Sequence, residues 1–214
     1  MNGMIEPPIF KGYSKAKKIK LPDTFKYKGL CVEEAIRKRR SLRDFSLEPI
    51  SLDELSLLLF CANGITSKAG LRASPSAGAL YPIEIYPLIN RVSEIPQGIY
   101  HYSVKDHSLE ELKKGDFAKE FTEYCLGQDV IYKSAVSFIM SAIFERTKWK
   151  YKDRAYRYVL LEVGHISENI YLSTTSMGLG CCAIGAFFDD QINEALGLDG
   201  VKEASLLITS IGKI

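Results

Sequence analysis

The sequence predicts an α+β fold, and three observations carry the prediction. A helix-compatible run over residues 153–178, DRAYRYVLLEVGHISENIYLSTTSMG, contains no proline and is longer than any other such run in the chain. Strand-like apolar segments at 83–89, 98–103, 135–143 and 204–211 are interleaved with shorter helical ones. Their spacing follows no fixed period, which argues against a repeat architecture and for one central sheet, mixed or antiparallel, flanked by helices.

Composition sets the outer bounds. At 214 residues with 46% hydrophobic and 11% aromatic side chains, the chain suits one domain with a substantial core. No apolar run approaches the ~18 residues of a membrane helix, and no signal-like apolar stretch follows Met1, so a cytoplasmic location without a membrane partner is expected. The cysteines at 31, 61, 125, 181 and 182 form an odd set without CxxC spacing and read as reduced, small hydrophobes. The histidines are scattered, so no metal site is expected. Lysines bunch at 15, 17, 18, 20, 26 and 28, and a second basic knot spans 37–43, but a net charge of only +2 argues against a nucleic-acid partner.

Taken in order, residues 1–28 lack periodicity and contain Pro7, Pro8, Gly12 and Pro22, so they read as an extended arm lying on the body, residues 29–214, or on a partner. A first helix is predicted over 30–40, with Glu33 and Arg37, and Glu34 and Lys38, at i,i+4 spacing and four cations closing its last turn. The cationic cluster continues past that helix: Arg39, Ser41 and Arg43 supply the guanidinium forks and hydroxyl that a phosphate and its neighbouring sugar hydroxyls require. Ser51 and Glu54 form a capping-box signature and Ile50 and Leu55 a hydrophobic staple, predicting a helix over 52–62 that stops at Asn63-Gly64.

Next come the small residues Ser74, Ser76, Ala77, Gly78 and Ala79, where Pro75 is expected to start a short turn. The turn reads either as a pocket for a flat or anionic ligand or as tight loop-to-strand packing. Strands over 83–89 and 98–103 follow, then helical segments over 116–132 broken near Gly127, a buried strand over 135–143 and a short helix with Trp149. After the long helix come GLGCCAIGAF at 178–187, a helix over 191–196 closed by Gly197 and a final strand.

Within the long helix, Val159, Leu160, Leu161, Val163, Ile166, Ile170, Tyr171 and Leu172 cover most of the circumference, the pattern of an enclosed helix. Tyr158, Glu162, His165 and Asn169 make a polar row on one face, expected to be a mutually hydrogen-bonded seam, with a metal or general-base role for His165 as the other reading. Gly178, Gly180 and Ala183 match the spacing G-x-G-x-x-A of a dinucleotide-binding loop. The context is reversed, because the motif closes a helix instead of opening one.

The order RRSLRDF, LRASPSAGALYPIE, DRAYRYVLLEVGH and GLGCCAIGAFFDD resembles the FMN-dependent nitroreductase family, and within it the SagB-type dehydrogenase branch, over roughly residues 30–212. The resemblance implies a nitroreductase-like fold, with the long helix in the core of a homodimer and two FMN sites at the subunit interface. It assigns Arg39 to the FMN phosphate, Ser41 to the ribityl chain and Arg43 to the pyrimidine edge, with Arg40 assisting and Lys213 as the remaining C-terminal phosphate clamp. Pro75, Ser76, Ala77, Gly78 and Leu80 would be contributed to the flavin by the second subunit, and Ala183, Ile184 and Gly185 would face N5, with Gly185 donating its backbone N–H. Leu80, Ile184 and Phe187 are the apolar contacts available to the ring. Lys150 and Tyr151 stand where azoline-oxidising members place a proton-removing pair, although a plain surface lysine also fits that position. The implied activity is hydride transfer at flavin N5. It would serve either oxidation of a modified peptide or reduction of quinones and nitroaromatics by NAD(P)H; a flavin-binding carrier or sensor without turnover is the alternative.

Overall fold

A computed structural model describes residues 6–23 and 27–214. Residues 1–5 and 24–26, part of the arm expected over 1–28, lie outside the described residues. The rest of the arm is extended and contributes a short strand, Lys17–Lys20 (β1). Then come helices Val32–Lys38 (α1) and Leu52–Asn63 (α2) and strands Ile83–Ile89 (β2), Gly98–Ser103 (β3) and Ser108–Lys114 (β4). Helices Ala118–Tyr124 (α3) and Val130–Lys133 (α4) lead to strand Val136–Ile143 (β5) and helices Glu145–Tyr151 (α5) and Ala155–Ser176 (α6). Strand Leu179–Ile184 (β6), helix Asp189–Leu196 (α7) and strand Glu203–Lys213 (β7) complete the chain.

The strands form one seven-stranded sheet in the order β1-β4-β3-β2-β5-β7-β6, and every neighbouring pair is antiparallel. Helices cover both faces. On one, Ile83, Ile85, Phe138 and Met140 meet Leu55 and Leu58 of α2 and Val159 and Ile166 of α6. On the other, Tyr86, Leu88, Ile139 and Ile208 meet Phe121, Ile131, Ile192 and Leu196 from α3, α4 and α7. Each such side chain contributes about 1.5–3 kcal/mol on burial, so the sheet is the centre of stability. Among the described residues no helix is long and apolar enough to cross a membrane.

Local signals hold where the chemistry is local. The capping box starts α2, with Glu54 N donating to Ser51 Oγ at 3.1 Å and Ser51 N to Glu54 Oε2 at 2.7 Å. The break between α3 and α4 falls at Gly127, whose φ is 73°, and α7 ends at Gly197 with φ 71°.

Four expectations are corrected. α1 stops at Lys38, because Arg39 adopts ψ 127°, and residues 39–46 then run extended beside the sheet. Leu42 N donates to Cys181 O and Ser46 N to Lys213 O, both at 2.9 Å. The long helix does not begin at 153: Lys152, at φ 51°, opens a 3-10 turn over Lys152–Arg154, and α6 starts at Ala155. The long helix is not enclosed by its own chain, since Tyr156, Leu160 and Leu161 are 46%, 60% and 53% exposed. β4, SLEELKK, was not expected as a strand; it pairs with β3 by burying Leu109 and by joining Glu110 to His101.

The extended 39–46 run is seated by glycine. A methyl group built on Gly212 would lie 2.8 Å from both Cβ and Cγ of Phe45, near the ring's attachment to the backbone. Gly212→Ala should therefore destabilise the fold by about 2 kcal/mol, read as a lower denaturant midpoint at unchanged slope; an unaltered midpoint would show that Phe45 does not seat this run.

Candidate active site

Two groups of expected site residues assemble, one at each end of α6. At the C-terminal end, the 39–46 run and β6 are joined by Tyr171. Ala183 N donates to Tyr171 Oη at 2.8 Å, and the same oxygen shares a hydrogen bond with Ser41 Oγ at 2.9 Å. The guanidinium of Arg39 lies 5.1 Å over the Tyr171 ring. Arg43 is exposed, and neighbouring Asp44 pairs with Lys133 at 3.2 Å, leaving both arginines available to an anion. Tyr171 is therefore central here, although its sequence position read only as part of an apolar surface.

Other members of this group are placed differently from expectation. Arg40 folds back, with Nη1 donating to Arg39 O at 2.7 Å and Arg37 O at 3.1 Å. The Lys213 ammonium meets Glu54 Oε1 at 2.6 Å, and Lys213 stands opposite Leu179, at the end of β6 away from Ala183. Burial pushes the Glu54 carboxyl up, but the Lys213 and Ser51 hydrogen bonds hold it below its ordinary value. The Ile184 side chain is buried, packing with Cys182 and Ile208, whereas the open part of the strip is Gly185, where a built Cβ comes no closer than 4.0 Å to any residue beyond its chain neighbours.

At the other end of α6 lies the small-residue segment. Its turn covers Ala77–Ala79, after Ser76, with Pro75 outside it, so the proline does not start the turn as expected. Gly78, Ala79 and Tyr81 have φ values of 67°, 54° and 48°. A Cβ built on Gly78 would lie 2.9 Å from Tyr151 Oη and 3.0 Å from Lys150 Nζ, so α5 brings both polar tips onto this glycine. Leu80 is buried at 3% exposure. Glu162, on α6, accepts a hydrogen bond from Ser76, while Tyr171 stands nine residues further along, about 14 Å of helix rise. A single chain thus carries two separate groups.

The expected polar seam is divided among different partners. Tyr158 stacks edge-on against Tyr151 at 4.8 Å, Asn169 donates to Ser74 Oγ at 2.9 Å and Cys61 O at 3.1 Å, and His165 is exposed. Glu162 alone is buried, at 3% exposure. Burial raises its carboxyl to about 7, against the opposing pull of the Ser76 hydrogen bond and the charges of Arg72 and Arg146.

Comparison with known proteins then settles the family: the model of the Nitroreductase family matches residues 36–213. The chain belongs to the nitroreductase family. A Methanocaldococcus jannaschii protein with a provisional nitroreductase name is 40% identical over 195 residues, 91% of this chain and 96% of that one. A solved nitroreductase-like structure from Ralstonia eutropha superposes with a TM-score of 0.80 at 27% identity, covering 99% of this chain and 95% of that one. The microcin B17-processing protein McbC of Escherichia coli is 27% identical over 150 residues, 67% of this chain and 54% of McbC, so the chain spans about half the length of that relative. As a nitroreductase-family member, the chain is an oxidoreductase.

Glu162 offers a test of the buried geometry. Its folded value of about 7 exceeds the ordinary 4.5, so the folded state binds a proton that the unfolded chain has released. This contribution is fully present below the ordinary value and is lost as pH rises through the folded one. Glu162→Gln should match the parent near pH 4 and exceed it by about 3 kcal/mol near pH 8, in urea melts at the two pH values. Equal stability of the two proteins near pH 8 would refute the buried acid.

Proposed function

We propose that the protein is an FMN-dependent oxidoreductase of the SagB-type dehydrogenase kind, acting as a homodimer. The observation that carries this reading is the Tyr171 junction, which holds Ser41 and the Ala183 backbone together under a guanidinium with no carboxylate partner among the described residues. These donors fit the group: two arginines and a hydroxyl suit a phosphate and its ribityl chain, and the open flank of Gly185 suits a flat ring. Bound FMN would supply hydride transfer at N5.

The chain's own residues then have distinct tasks. Arg39 binds phosphate, Ser41 orients the ribityl hydroxyls, and Arg43 faces the electron-rich pyrimidine edge. Gly185 N donates to the ring. Arg40 is held on its own backbone, and Lys213 would reach a phosphate only by leaving Glu54. Lys150 Nζ or Tyr151 Oη, meeting over Gly78, takes the proton from substrate; this favours oxidation of a modified peptide over simple reduction of a nitro compound or quinone by NAD(P)H.

The homodimer reading is supported by the two groups lying at opposite ends of α6, with Tyr156, Leu160 and Leu161 exposed on the same helix. A second copy packed on that apolar face would bring its 75–80 segment, with Lys150 and Tyr151, to the Arg39 group.

Arg39→Ala should leave the fold intact and weaken FMN binding about 30-fold, the loss of a charge-assisted contact of ~2 kcal/mol, measured by fluorescence titration. A variant that binds as tightly as the parent would remove Arg39 from the phosphate site. Stopped-flow mixing of the yellow protein with NADPH separates the two activities: slow or absent bleaching is expected for a peptide dehydrogenase, and rapid bleaching would assign a reductase.

A further inference from the structure

Behind the small-residue segment lies a polar cluster to which the proposed chemistry gives no task. Ala79 and Tyr81 hold left-handed backbone at φ 54° and 48°, a conformation disfavoured for any residue with a Cβ and retained only where the surroundings over-determine it. The surroundings here are explicit. Ala79 N donates to Ser76 O at 3.0 Å, and Tyr81 N to Ser76 Oγ at 2.9 Å. Arg146, 2% exposed, donates through Nη1 to Tyr81 O at 2.9 Å. Arg72, 6% exposed, donates its backbone N–H to Tyr81 Oη at 3.2 Å and lays its guanidinium 4.5 Å over the Tyr81 ring. Two buried arginines thus grip Tyr81 at its carbonyl, its ring and its hydroxyl.

The same two arginines grip the N-terminal arm. Arg146 Nε donates to Pro8 O at 2.8 Å, and Arg72 Nη2 to Ile9 O at 2.9 Å. The Arg72 guanidinium also lies 5.5 Å over the Phe10 ring. Consecutive carbonyls of the arm are therefore tied, through one guanidinium each, to one residue at the end of the segment that carries Ser76 to Leu80.

We propose that Arg72 and Arg146 are positioning residues that couple the N-terminal arm to the 75–81 segment and keep that segment in its flavin-binding geometry. The proposal rests on the reading of residues 75–80 as part of the flavin site. Loosening either guanidinium frees Tyr81 to relax toward right-handed backbone, and the small residues before it then lose their arrangement. Arg72 is the cleaner probe. Arg146 also neutralises buried Glu84 at 2.5 Å, so its removal would strand a carboxylate and endanger the fold, whereas Arg72 Nε and Nη1 have no hydrogen-bond partner among the described residues.

The test is amide hydrogen exchange at Ala79 and Tyr81 in the full-length chain, combined with fluorescence titration of FMN. Arg72→Met should speed exchange at both amides about tenfold and weaken FMN binding about tenfold while exchange in β5 stays unchanged. Arg72→Lys, which keeps a cation over Tyr81 and a donor for Ile9, should restore most of both losses, and Phe10→Ala should shift both readouts in the direction of Arg72→Met. Unchanged exchange at the two amides overturns the proposal. So does faster exchange with unchanged FMN affinity, or acceleration that extends through β5, which would mark general destabilisation. Should the parent itself bind no FMN, the flavin reading falls, and the coupling stands or falls on the exchange rates alone.

Discussion

A sheet covered on both faces leaves ionisable side chains on its central strands without water, and the structure depends on how those charges are paired. Glu84 on β2, His101 on β3 and Glu110 on β4 are at most 3% exposed. His101 Nε2 lies 2.8 Å from Glu84 and Nδ1 2.9 Å from Glu110, so a protonated imidazole donates to both carboxylates. Burial alone would depress His101; the two glutamates reverse that and raise it. Burial likewise pushes Glu84 up, and His101 and Arg146 hold it below its ordinary value. Removing one member would leave its partner charged in a dry interior, a loss of about 3–5 kcal/mol. This interlocking fixes which faces of β2, β3 and β4 look toward the arm.

From that foundation the hold passes outward. Arg146 belongs both to the charge network, through Glu84, and to the segment after Ser76, through Tyr81. Lys11 and Tyr13 of the arm close the network from outside: Lys11 pairs with Glu203, and Tyr13 N donates to Glu110 at 3.0 Å. The arm is thus a structural part of the sheet's second face and lies one guanidinium away from the candidate site. A loop of small residues can keep unfavourable backbone angles there because everything behind it is already committed.

The long helix organises what remains. Glu162 anchors the Ser76 end and Tyr171 the Ser41 end, and between them the helix exposes Tyr156, Leu160 and Leu161. One side of the helix is core and the other is unfinished surface. The Arg39–Ser41 group and the Gly78–Lys150–Tyr151 group therefore stand apart on one chain, one toward each end of the helix.

Much of this was legible from the residues alone. Short-range chemistry was sufficient for the α2 capping box, the Gly127 break, the Gly197 stop and the existence and type of the strands over 83–89, 98–103 and 135–143, because periodicity and caps act within a few residues. The motif order around Arg39, Gly78, the long helix and Gly180 was sufficient for the family. Tertiary structure decided what depends on partners distant in sequence. SLEELKK became a strand because His101 neutralises Glu110, and Lys213 was withdrawn from the arginine cluster by Glu54, 159 residues away. Tyr171 became the junction of the site because the 39–46 run lies along β6, where its hydroxyl meets Ser41 and Ala183. Periodicity can say that a side chain is buried. Only the packed chain says which polar atom it is buried against.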